Sequence, residues 1–342
     1  MPAAAPAIRA EHLTKRYGDV VALDGVSFDV PTGSVVGLLG PNGAGKTTAV
    51  NVLTTLLKPD GGTGTVLGMD VVTRGWEVRA SIGLAGQFAA VDEKLTGREN
   101  LRLVGRLTHL PAAVIARRSD ELLQRFQLTD AADRTVQTYS GGMRRRLDLA
   151  AALVHRPPVL FLDEPTTGLD PQSRIELWAI IEELVGGGTT LLLTTQYLEE
   201  ADRLADRIVV VDHGRVIAEG TAAELKNRLG STVIEVGFRD TDSAARTGEL
   251  LRGLGSPIAS GTLVSLTVED GSRSMIDAVR AIDAAGLEPA TFSLREPTLD
   301  DVFLTLTGHA SRPELPAESR RRRRARRARA DERPDPGEGS AP

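Results

Sequence analysis

The run Gly40-Pro41-Asn42-Gly43-Ala44-Gly45-Lys46-Thr47-Thr48 packs three glycines, a lysine and two threonines into nine residues. It satisfies Gly-x4-Gly-Lys-Ser/Thr, the pattern of a loop that cradles phosphates. The glycines let successive N–H groups wrap the phosphates, Lys46 puts a point charge on the outer ones, and the Thr47 hydroxyl can ligate Mg²⁺. A second stretch, "VLFLDEPTTGLDP", carries Asp163 and Glu164 directly after four apolar residues. Alone, an Asp-Glu pair there is a loop start or a helix cap. Beside a phosphate loop it becomes a catalytic pair, with Asp163 holding Mg²⁺ through water and Glu164 orienting or activating the attacking water. A third stretch, "YSGGMRRRLDLAAAL", opens with Ser140 as an N-cap and bares backbone at Gly141 and Gly142. A helix start of that kind is itself an anion site. The chain therefore holds two phosphate cradles.

The neighbouring patterns supply elements to hold these residues. "SVVGLLG" reads as a strand buried on both faces, followed by the phosphate loop and the helix "KTTAVNVLTTLL". "VLFLDEP", "TLLLTT" and "RIVVVDHG" are further buried strands separated by helical stretches, as in a parallel α/β sheet. Alternation in "AIRAEHLTKRY" and "VSFDV" predicts short antiparallel strands, and Leu95–Ala152 is mostly helical in pattern. A boundary falls near "NRLGST". Beyond it, "TVIEVGF", "LVSLTVED" and "ATFSLRE" are expected as strands, with the helices "AARTGELLRGLG", "SMIDAVRAIDAAG" and "LDDVFLTLTG". The expected domains are residues 1–229, a second α+β domain at 230–308, and a polar tail at 309–342 that reads as disordered.

Bulk composition narrows the chemistry. The chain has 342 residues, 41% of them hydrophobic and 25% charged, and no cysteine, which removes disulfides, thiolate metal sites and Cys nucleophiles together. A net charge of −5 argues against a nucleic-acid partner. That figure hides eight arginines between Arg320 and Arg329, a solvated tract or a peripheral grip on anionic lipid. No apolar run approaches the roughly 18 residues that span a bilayer, and no secretory signal is expected. The expected location is the cytoplasmic face of a membrane, reached through a partner.

Gly40–Thr48, Tyr139–Met143, Val159–Pro165 and Gly168–Pro171 stand in the order and spacing of the ATP-binding cassette, and about Ile8 to Leu229 resembles the ATPase of ABC transporters. The resemblance implies a P-loop fold: a parallel sheet core, an antiparallel β subdomain and an α-helical subdomain, followed here by the small α+β domain. It implies Mg-ATP hydrolysis by two cassettes facing head to tail, a homodimer in the simplest case. Ser140, Gly141, Gly142 and Met143 would then close on the nucleotide of the partner, which explains the second cradle. It also implies that Tyr17 stacks on adenine, unless it is simply an aromatic on a strand. Gln87 would contact Mg²⁺ and couple to the membrane subunit, Asp170 would communicate across the dimer, and Gln196 takes the switch position where most cassettes have His.

Met143 in place of the usual Gln, Gln196, "YLEEAD" and "EPTLDDVFLTLTG" together resemble the daunorubicin-resistance type of exporter ATPase. That subfamily works with a separate integral-membrane permease that extrudes antibiotics or other hydrophobic compounds. The competing expectations are a soluble cassette ATPase acting on ribosomes or in DNA repair, and an importer ATPase. Single cassettes without sustained heptads fit the soluble classes poorly.

Overall fold

The computed structural model describes residues 5–86, 91–228, 232–269 and 271–307. Gln87, the junction at 229–231 and the arginine tract lie outside them.

The chain opens with strands β1 (Ile8–Tyr17) and β2 (Val20–Val30), paired antiparallel, then β3 (Val35–Leu39), every residue of which is buried. Helix α1 (Lys46–Leu53) follows the phosphate loop. It stops short of the expected Leu57, because the Thr54 hydroxyl turns back on the Val50 carbonyl at 2.8 Å and Thr55 takes a φ of 68°. Strands β4 (Gly61–Val66) and β5 (Met69–Asp70) complete a four-stranded antiparallel sheet in the order β2-β1-β4-β5. β4 has the sequence GGTGTV, which carries no alternation to announce it.

Helix α2 (Gly75–Ser81) leads to β6 (Ile82–Ala85). Then come the helices α3 (Gly97–Leu107), α4 (Ala112–Arg125) and α5 (Gly141–Ala152). β7 (Val159–Asp163), α6 (Pro171–Gly186), β8 (Thr190–Thr195), α7 (Leu198–Leu204), β9 (Arg207–Asp212) and β10 (Arg215–Gly220) finish the central sheet. Its order is β10-β9-β3-β8-β7-β6, parallel throughout except for the β9–β10 hairpin.

The pleat explains why these strands read as continuous apolar runs. In β7, Val159 and Phe161 face the core built with α1 and the antiparallel sheet, whereas Leu160 and Leu162 face the core built with α3–α6. Each strand feeds two cores, so neither face can be polar.

After α8 (Ala222–Asn227), the third sheet forms from β11 (Thr232–Gly237), β12 (Ser256–Ser260), β13 (Leu263–Val268) and β14 (Thr291–Arg295) in the order β12-β13-β11-β14, all antiparallel. Residues of α9 (Thr241–Leu250) and α10 (Gly271–Ala284) share its core. Helix α11 (Leu299–Thr307) turns back instead: Leu299, Val302 and Phe303 pack in one cluster with Leu198, Ala201, Ile208, Val210 and Leu225. Its other face is tied down by Arg295, which bonds Asp301 at 2.6 Å and Glu235 at 2.8 Å.

Glu200 of α7 is wholly buried and accepts from the Trp178 indole N–H at 2.9 Å. Burial pushes its carboxyl above the ordinary value of 4.5, against the pull of hydrogen bonds such as the one from Trp178. A carboxyl raised on folding binds more protons in the folded state, so stability falls as pH rises above the unfolded value. Glu200→Gln keeps the indole contact and removes the titration. Chemical denaturation from pH 4.5 upward should therefore show a flatter stability profile for Glu200→Gln than for wild type, by up to about 1.4 kcal/mol per pH unit. Parallel profiles would refute the raised carboxyl.

Candidate active site

In the order β3-β8-β7, three neighbouring parallel strands end at the same edge of the sheet, the edge where open α/β sheets take ligands. β3 delivers Gly40–Thr48, β8 delivers Gln196, and β7 delivers Asp163 and Glu164. The register carries this across space: Leu39 pairs with Thr195, and Asp163 with Thr194.

The phosphate loop approaches its surroundings so closely that side chains are excluded. A Cβ on Gly40 would lie 2.2 Å from the Val211 carbonyl oxygen, and one on Gly45, at φ 107°, would lie 2.3 Å from that of Ala22. Gly43 by contrast faces open space and leaves its backbone bare. Lys46 is 4% exposed, and its ammonium donates to the carbonyls of Gly40 at 2.8 Å and Pro41 at 3.1 Å, with Glu164 Oε1 at 3.5 Å. Burial pulls this ammonium below the ordinary lysine range, and the carboxylates of Glu164 and Asp163 partly hold it up.

The Thr47 hydroxyl donates to Asp163 Oδ1 at 3.2 Å. A hydroxyl and a carboxylate within one hydrogen bond of each other form an oxygen donor pair of the kind a hard cation takes. Mg²⁺ fits these residues. Thr194, which the sequence showed only as part of a buried strand, completes the arrangement. Its hydroxyl donates to Asp163 Oδ1 and accepts from the Glu164 N–H at 3.0 Å. Glu164 has φ 50°, a left-handed backbone costing on the order of 1–2 kcal/mol in a residue with a side chain. The Thr167 hydroxyl bonds its Oε2 at 3.3 Å.

Gln196 follows β8, half-buried, on a fixed backbone: the next N–H, of Tyr197, donates to Thr195 Oγ1 at 2.9 Å, and Arg174 lies over the Tyr197 ring at 4.6 Å. Tyr17 ends β1, 49% exposed, on the hairpin whose Ala22 carbonyl faces Gly45. Ser140 caps α5 by accepting the Met143 N–H at 3.2 Å. Gly142 there abuts Ser173 of α6, itself bonded by the cap residue Asp170 at 2.7 Å. Ser140 and Gly141 are exposed, and among the described residues no hydrogen bond joins Ser140–Met143 to Gly40–Thr48. The structure thus brings Lys46, Thr47, Asp163, Glu164 and Gln196 to one edge and puts the second cradle beside Asp170.

Residues 23–167 match the family model "ABC transporter", and residues 220–307 match "ATP-binding protein DrrA1-3-like, C-terminal domain". The chain is 56% identical to daunorubicin resistance ATP-binding protein DrrA3 of Streptomyces coeruleorubidus, over 88% of this chain and 96% of that one. It is 49% identical to the doxorubicin resistance ATP-binding protein DrrA of Mycobacterium tuberculosis, over 88% of this chain and 93% of that one. Nod factor export ATP-binding protein I of Ralstonia nicotianae is 42% identical, over 90% of this chain and 95% of that one. A solved ATP binding subunit of an ABC transporter superposes with a TM-score of 0.60 at 30% identity, covering 65% of this chain and 92% of that one. A dimeric ATP-binding cassette in a post-hydrolysis state with ADP and Pi gives 0.58 at 25% identity, covering 63% of this chain and 98% of that one.

Lys46→Ala removes the charge from the loop and leaves Glu164 without its cation. Nucleotide affinity should fall about 10- to 100-fold, the worth of a charged hydrogen bond. Titration with a fluorescent ATP analogue measures it, and unchanged affinity would contradict the loop assignment.

Proposed function

We propose that this chain, which belongs to the ABC transporter family of ATPases, powers an exporter, hydrolysing Mg-ATP in a cassette dimer and working through a separate integral-membrane permease. One observation carries the catalytic reading: Lys46 and Thr47 at the start of α1 lie within 3.5 and 3.2 Å of Glu164 and Asp163 at the end of β7. Gly40–Thr48 wrap the phosphates, Lys46 meets the outer ones, and Thr47 and Asp163 hold the cation, to which Gln87 is assigned by resemblance. When bound, Mg²⁺ offsets charge that develops on the phosphate oxygens. Glu164 orients and activates the attacking water. Gln196 holds the γ-phosphate in line with it, and Tyr17 carries the adenine.

The Ser140-Gly141-Gly142 cradle, exposed at Ser140 and Gly141, serves the nucleotide of the partner cassette, with Asp170 at the same face. The permease and the export direction rest on relatives named for daunorubicin and doxorubicin resistance and for Nod factor export, so the cargo class is a hydrophobic or amphipathic small molecule. Among the described residues no helix is long and apolar enough to cross a membrane, in keeping with a peripheral subunit at the cytoplasmic face. The division at 1–229, 230–308 and 309–342 is the reading we adopt, supported by the absence of strand pairing between the third sheet and the other two among the described residues. A weak anionic-lipid contact is assigned to the arginine tail on charge alone.

Glu164→Gln keeps the shape of the site and loses the base. ATP should still bind, while turnover drops about 10²- to 10⁴-fold. Phosphate release beside nucleotide titration tests this, and native turnover would sink the assignment.

Pairing has its own test. Ser140→Arg fills the cradle with a long side chain, so steady-state hydrolysis should fall at least about tenfold. Nucleotide affinity of the monomer should stay at the wild-type level. Normal hydrolysis by Ser140→Arg would mean that each cassette works alone.

A further inference from the structure

Arg145 lies in α5, between Arg144 and Arg146, and is the residue of that run whose guanidinium enters the protein. Its Nε donates to the Pro165 carbonyl at 2.7 Å, and its Nη2 to the Asp163 carbonyl at 3.1 Å. Those carbonyls belong to the two residues that flank Glu164. Its Nη1 donates to the carbonyl of Gly86, next after β6, and to Asp148 Oδ2 at 3.2 Å. The side chains of Arg145 and Asp148 are 11% and 1% exposed. One planar group therefore joins α5, the turn after β7 and the end of β6.

Among the described residues of the site, Glu164 in the turn after β7 is the one non-glycine residue with a left-handed backbone. Glu164 sits at φ 50°, and its N–H is bonded by the carbonyl and hydroxyl of Thr194 at 3.1 and 3.0 Å. β8 thus holds the residue from its amide side, and Arg145 holds the carbonyls of the residues before and after it. We propose that Arg145 is a positioning residue for ATP hydrolysis: it fixes the backbone that aims Glu164 and transmits movement of the Ser140 helix to it. The inference rests on Glu164 as the water-orienting carboxylate. An ammonium cannot replace the guanidinium, because a single point donor cannot span acceptors on three segments.

Arg118 provides the comparison. It is equally buried, bonds the Leu153 carbonyl at 3.1 Å and pairs with Glu121, yet makes no contact with the turn after β7. In the full-length chain, kcat and KM for ATP, affinity for a fluorescent ATP analogue, and melting temperature are compared for wild type, Arg145→Met, Arg145→Lys and Arg118→Met. Arg145→Met should lose about tenfold or more in kcat, as misplacing a catalytic group does, with KM and affinity within about twofold of wild type. Arg145→Lys should recover only part of the rate. Arg118→Met should lose melting temperature but keep kcat. If Arg145→Met loses no more kcat than Arg118→Met, or if its KM rises as far as its kcat falls, the proposal is wrong. Should Arg145→Met fail to fold, wild-type kcat in Arg145→Lys overturns it equally. Glu164→Gln run alongside separates the two levels: an active Glu164→Gln removes the reading of Glu164 itself. An inactive one beside active Arg145 variants removes only the role of Arg145.

Discussion

A buried ammonium and a buried carboxylate, Lys46 and Glu164, stand 3.5 Å apart with side chains only 3% and 7% exposed. Removing two charges from water costs several kcal/mol per ion, and their mutual attraction offsets this only when the remaining hydrogen-bonding capacity is also met. Much of the surrounding structure meets it. Gly40 and Pro41 turn their carbonyls onto the ammonium, which requires the tight loop that Gly45 permits. Thr194 and Thr167 bond the backbone and carboxylate of Glu164. The pair can exist only where three strands end side by side. On the proposed function, a phosphate group arriving at the loop competes for the Lys46 donors, which would link nucleotide binding electrostatically to release of Glu164.

That linkage explains why the architecture is a buried parallel sheet. Parallel strands end together, and each is covered on both faces, so their loops converge on one dry edge. The two cores on either side of β3, β7 and β8 fix strand position to the accuracy of side-chain packing. Chemistry at the edge inherits that rigidity. Helix α5 belongs to the core on one side and the phosphate loop to the core on the other. α5 also packs against β7 and β8 through that shared core, and Arg145 adds a direct polar link from α5 to the turn that carries Glu164.

Much of this was legible in the sequence. The phosphate loop, the acid pair and the three buried strands behind them were readable because each depends on a short local pattern: glycines where backbone must come close, continuous apolar residues where both faces are covered. Ser140 was readable as a cap for the same reason. β4 was not, since GGTGTV is a strand by virtue of its pairing with β1, and β12, with the sequence SPIAS, exists only beside β13. Thr194 was hidden because its partners Asp163 and Glu164 come from a distant segment. Arg145 was hidden by its neighbours. The run Arg144-Arg145-Arg146 reads as one basic surface, but the helix sends its members about 100° apart around the axis. Arg144 reaches Glu93, Arg146 reaches Glu176, and Arg145 turns inward.

The third sheet, β12-β13-β11-β14, is tied to the rest of the chain without lengthening either of the other two sheets. Its core closes with α9 and α10, yet α11 carries Leu299, Val302 and Phe303 away to the cluster around Leu198 and Leu225. The polar side of the same helix is held by Arg295, whose guanidinium stays charged between Asp301 and Glu235 and whose pKa those partners raise further. α11 is thus clamped on two faces by two different forces, one apolar and one ionic. It bears on α7, whose first residue, Leu198, stands two positions after Gln196. Packed in this way, α11 links the end of the third sheet to the start of α7, the helix that begins two residues after Gln196.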